Sequence, residues 1–60
     1  MANFNQMELN SIREVVGCHV TAANKLQSYA NQCQDAQIKQ MFQQASTEAQ
    51  KSAQKLIQML

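Results

Sequence analysis

The sequence has 60 residues and a mass of 6.8 kDa, which leaves room for one domain and too little for an enclosing catalytic cleft. Apolar residues make up 45% and charged residues 15%, and a formal net charge of +1 gives no electrostatic footprint for nucleic acid or an anionic membrane. A chain this short buries only about 60% of the surface that its unfolded form exposes, so self-association is expected.

No apolar run approaches the roughly 20 residues of a membrane span, and Val15-Val16 is interrupted at once by Gly17. The start Met1-Ala2-Asn3-Phe4 has neither a basic region nor an apolar signal core, so cytoplasmic synthesis is the expectation. Cys18 and Cys33 on one helix would lie about 22 Å apart, well beyond the reach of a disulfide. Reduced thiols follow, and two Cys so spaced with one His do not form a zinc pattern.

The first helix is marked at its start. Asn5 is a favourable N-cap, Glu8 can return a bond in a capping box, and Phe4 with Leu9 matches a hydrophobic staple. From there Leu9, Ile12, Val16, His19, Ala23, Leu26, Ala30 and Cys33 recur at alternating steps of three and four. That is a heptad seam, and Val15, Ala22 and Tyr29 form a second stripe beside it. A seam widened on one side suits a bundle better than a two-stranded coil. Gly17 sits mid-helix, where glycine costs about 1 kcal/mol relative to alanine. It is expected as a tolerated weak point on the outer side, with a kink or a close helix crossing as the alternative.

A short polar connection reaches Asp35, whose side chain can cap the next helix. The spacing predicts a first helix over about 6–32, a turn over about 33–35 and a second helix over about 36–60. The second stripe reads Ile38, Phe42, Ala45, Ala49, Ser52, Leu56 and Met59, widened by Met41, Ala53, Ile57 and Leu60. Its middle is small, so two helix axes can approach closely there. Lys51 and Lys55 lie in the last third, where cations complement the helix dipole.

The fold class expected is all-α: an antiparallel helical hairpin that dimerises into a four-helix bundle. Leu9, Ile12, Val16, His19, Ala23, Leu26, Phe42, Ala45, Ala49 and Leu56 are the residues expected in the dimer core.

Few residues offer chemistry. His19 falls on the apolar seam and reads first as a neutral core histidine bonded across the bundle, with a metal ligand or proton carrier as the sharper alternative. Glu48 flanks the small-residue stripe near the level of His19 and reads first as an edge carboxylate facing Lys51. His19 and Glu48 are therefore the only candidate metal ligands, and they make an incomplete set. A di-iron bundle needs Glu on two helices and Glu-x-x-His on the others, whereas this chain has Glu48-Ala49-Gln50-Lys51. Met7, Met41 and Met59 read as adaptable core filler, and Tyr29 as a bundle-edge ring with a wet hydroxyl. The eleven Gln and five Asn keep the surface polar at little charge and offer bonds to neighbouring protein. No phosphate loop, Ser-His-Asp set or acid pair appears, so no enzyme activity, catalytic residue or cofactor is expected.

The stretch Lys25-Leu26-Gln27-Ser28-Tyr29-Ala30-Asn31-Gln32-Cys33-Gln34-Asp35-Ala36-Gln37-Ile38-Lys39-Gln40-Met41-Phe42 resembles the small spore coat protein F-like family of endospore-forming bacteria. The similarity extends over roughly residues 7–60 and implies membership of the ferritin-like helical group. Where relatives often carry Glu-x-x-His, this chain has Glu48 and Lys51; His19 stands near the position of the first-helix carboxylate.

The resemblance implies a non-enzymatic structural role in a spore coat, with a second copy of the chain and other coat proteins as partners. Neither a membrane nor nucleic acid is an expected partner. Two alternatives remain: a metal-binding ferritin-like bundle with a degenerate site, and a small RNA-binding hairpin dimer. For the latter, Arg13, Lys25, Lys39, Lys51 and Lys55 are too dispersed to form a basic strip.

Overall fold

The computed structural model describes residues 4–60, and two helices account for nearly all of them. The first, α1, spans Gln6–Gln32, and the second, α2, spans Ala36–Gln58, two residues short of the end predicted from the sequence.

Each helix start is fixed by side-chain chemistry. The Glu8 amide donates to Asn5 Oδ1 at 2.8 Å, and the Asn5 amide donates to Glu8 Oε1 at 3.0 Å. This reciprocal pair is the capping box expected from the sequence. Asp35 Oδ1 accepts from the amides of Gln37 at 2.9 Å and Ile38 at 3.0 Å. Between the helices, Cys33 and Asp35 are both extended, and no described residue has a positive φ, so the reversal is made without glycine. Cys33 closes α1 by donating to the carbonyl oxygens of Tyr29 and Ala30.

The two helices lie antiparallel along their lengths. A buried hydrogen bond from Ser46 Oγ to the Ala23 carbonyl oxygen (2.8 Å) and a tilted ring pair between Tyr29 and Phe42 (centroids 5.9 Å apart) set the register. On α1 the buried and half-buried positions run Leu9, Ile12, Val16, His19, Ala23, Leu26 and Ala30, matching the predicted seam.

The inward ladder of α2 differs from the expected one. Phe42, Ala49, Ser52 and Leu56 of the expected stripe are half-buried and Ala53 of its flank is buried, but Lys39 and Ser46 turn inward while Ile38, Ala45 and Met59 stay exposed. Both ladders obey the same heptad step and share Phe42, Ala49 and Leu56, so periodicity alone does not separate them. With only Gln34 between the caps Cys33 and Asp35, the short connection limits the rotation of α2. Ser46 tolerates burial because its hydroxyl has a partner.

The core is thin. Among the described residues Ala23, Ala30, Ala53 and Ser46 are the buried ones, and no large side chain is completely enclosed. Met7, Met41 and Met59, expected as core filler, are instead exposed, at 78%, 68% and 49%. The hairpin measures 46 × 16 × 10 Å, and its radius of gyration is 14.2 Å. A compact chain of this length would have a radius near 10 Å. Its accessible surface is 4800 Å², against roughly 4000 Å² for a compact protein of the same mass.

Candidate interaction surface

The register and the 3.6-residue period give the hairpin two broad faces. Val20 and Asn24 of α1 share a shallow groove with Gln50, Gln54 and Ile57 of α2, floored by Ala23 and Ala53. That groove identifies one face. The flanks on the other side of each seam therefore share the opposite face. There Val15, Ala22 and Tyr29 from α1 alternate along the axis with Met59, Ser52, Ala45 and Ile38 from α2.

The two faces differ in chemistry. On the second face the large side chains are left in water: Val15 is 42% exposed, Tyr29 49% and Ile38 47%. Ala22 and Ala45 at its centre are exposed as well. The bulky residues stand toward the two ends and the small ones in the middle. The grooved face carries more amide, with Gln27, Gln43 and Gln50 flanking its seam and Asn24 and Gln54 farther out, but Val20 (44%) and Ile57 (50%) stand exposed on it too. Every glutamine in the chain is exposed. The second side, the more continuously apolar of the two, is the apolar face, and the grooved side, richer in glutamine, is the amide face.

The residues expected in the dimer core divide between two places. Leu9, Ile12, Val16, His19, Ala23, Leu26, Phe42, Ala49 and Leu56 lie at buried or half-buried positions along the seam of the hairpin itself. Ala45 lies instead on the apolar face. Tyr29 is the bundle-edge aromatic expected, its ring held against Phe42 at 5.9 Å. Ser46, which hydropathy did not single out, is the residue that ties the helices together; its only sequence signal is its place in the second heptad ladder.

The candidate metal ligands do not converge. His19 is half-buried, and its Nδ1 donates to the Val15 carbonyl oxygen one turn back at 2.8 Å, within its own helix. Glu48 is exposed and pairs with Lys51 at 4.0 Å, both side chains 66% accessible, so the pair contributes little. Among the described residues no three His, Cys, Asp or Glu side chains gather where a metal ion could be held. Cys18 and Cys33 are both free thiols.

Gly17 opens onto empty space, with no atom within 4 Å of where a Cβ would stand, so the exposed weak point is the reading that holds. Among the described residues no helix is long and apolar enough to cross a membrane. No protein-family model matches the chain, and no curated protein or solved structure is significantly similar to it.

Proposed function

We propose that the chain is a non-enzymatic structural module, a helical hairpin that self-associates into a four-helix bundle and presents amide-rich surfaces to neighbouring protein. The observation that carries this reading is the apolar face: after the hairpin closes, Val15, Tyr29, Ile38 and Met59 each remain more than two-fifths exposed. Burying such side chains contributes about 25 cal/mol per Å² of apolar surface. A hairpin that fully buries only alanine and serine, and leaves Leu26, Phe42 and Leu56 half-buried, gains limited stability without that contribution.

The resemblance of residues 25–42 to small spore coat proteins supports placing this assembly in a spore coat, with other coat proteins on the amide faces. Glutamine and asparagine offer donors and acceptors together, which suits lateral bonding between neutral surfaces.

The test is the mass of the purified chain in solution by sedimentation equilibrium across a dilution series. The expected result is a dimer at micromolar concentration, dissociating with loss of helicity on dilution. A fully helical monomer at every concentration overturns the reading. The coat assignment is tested separately, by whether sporulating cells lacking the chain build a coat of altered protein composition.

A further inference from the structure

We propose that a second copy of the chain covers the apolar face, with the two turns at the same end of the bundle and the two-fold axis running along it. The inference rests on the self-association proposed above and goes further by naming the face and the alignment.

Area favours a second copy as the occupant. The broad side of the hairpin, 46 Å by 16 Å, casts a footprint of roughly 700 Å², so a second copy laid along it buries area of the order of the ~800 Å² per partner of a stable protein interface. It runs the length of the hairpin, so a partner of equal length is needed to cover it.

Shape fits the same occupant. With the axis along the bundle, α1 of each copy lies over α2 of the other, and residues at the same level meet. Pairs such as Ala23 with Ser46 and Tyr29 with Phe42 define those levels. Ala22 then falls between the partner's Ala45 and Ser52, and the Tyr29 ring between the partner's Ala45 and Ile38. Small residues meet at the centre, so the four backbones approach closely there, and each large ring has a small residue beside it.

Charge selects the alignment. Lys25 stands on the outer edge of α1 and Glu48 on the outer edge of α2, within one helical turn of the same level. Turns together, each Lys25 lies beside the partner's Glu48, twice per dimer. With the turns at opposite ends, α2 lies over α2 and the two Glu48 side chains, each paired with its own Lys51, meet near the centre with no Lys25 beside them. The alignment with the turns together is the one that adds a Lys25 of the other copy to each Glu48.

Two measurements test this. In the first, Ala22→Glu is compared with Gln43→Glu, the same charge change on the amide face. Both sites are exposed in the hairpin, so helicity at high concentration checks folding. Ala22→Glu is expected to weaken dimerisation at least about 100-fold and Gln43→Glu less than about threefold. A wild-type dimer that survives Ala22→Glu and is dissociated by Gln43→Glu overturns the face while leaving self-association intact. A wild-type monomer overturns both.

In the second, a spin label is placed at the turn through Gln34→Cys in a chain carrying Cys18→Ser and Cys33→Ser. The distance between labels in the dimer is expected below about 30 Å. Labels separated by more than about 40 Å, a helix length, overturn the alignment. This readout leaves the apolar face unaltered, so it holds even where Ala22→Glu disturbs folding.

Discussion

The Ser46 hydroxyl donates to the Ala23 carbonyl oxygen across 2.8 Å, and both residues are sealed from solvent. A side chain of α2 thereby reaches the backbone of α1 directly, which requires the two axes to be close. Alanine at position 23 permits that approach, and serine at position 46 converts it into a bond. The pair fixes the rotation of α2 as well as its height, because only one face of α2 carries Ser46.

Substitutions at Ser46 separate these two roles. Ser46→Ala removes the bond, but the Ala23 carbonyl keeps its own intrahelical partner. The loss is expected to be about 0.5–1.5 kcal/mol, part of it offset by the better helix propensity of alanine. Ser46→Val keeps the burial but wedges a branched side chain between the helices, at a cost of about 1–3 kcal/mol. Urea denaturation at fixed protein concentration orders the two. A valine variant as stable as the alanine variant would mean that the axes are not tightly apposed.

The α1 seam was legible because one apolar ladder, from Leu9 to Ala30, dominates that helix. The caps were legible because Asn5, Glu8 and Asp35 are short-range chemistry. The rotation of α2 was not, because Ile38, Ala45 and Met59 make the more apolar ladder while Lys39, Ser46 and Ala53 are the ones turned inward. Hydropathy measures the wish to leave water, and a second copy can satisfy that wish as well as α1 can. The sidedness of the hairpin is a consequence of that rotation and becomes visible only once it is known. A seam position likewise does not say whether an imidazole bonds across a bundle or back to its own helix, as His19 Nδ1 does.

Gly17 offers a stabilising substitution. It is helical, exposed and without a neighbour within 4 Å of an added Cβ. Gly17→Ala is expected to raise stability by about 1 kcal/mol, since it restricts the unfolded chain and meets no clash. Thermal unfolding followed by circular dichroism reads the shift. A destabilised alanine variant would show that another surface lies against Gly17 in the assembled protein.

Asp35 carries the start of α2 on a single carboxylate oxygen that accepts two amides. Asp35→Ala leaves both amides to water and is expected to cost about 1 kcal/mol. Asn is an N-cap of similar rank, so Asp35→Asn is expected to lose only a few tenths. Equal losses for the two variants, measured by denaturation at low and high salt, would mean that the negative charge at the dipole outweighs the hydrogen bonds.

His19 is the last test of whether the seam holds a polar function. Its Nδ1 donates to Val15, a carbonyl already engaged in the helix, so removing the imidazole orphans no buried group. His19→Leu is therefore expected to leave stability unchanged or to raise it by up to about 1 kcal/mol through added apolar burial. Unfolding is measured for wild type and variant with and without a chelator. If the wild type alone loses stability to the chelator and the leucine variant starts from that lower value, the imidazole binds metal in the assembled bundle. Equal curves in all four conditions leave it as a packed side chain bonded to its own helix.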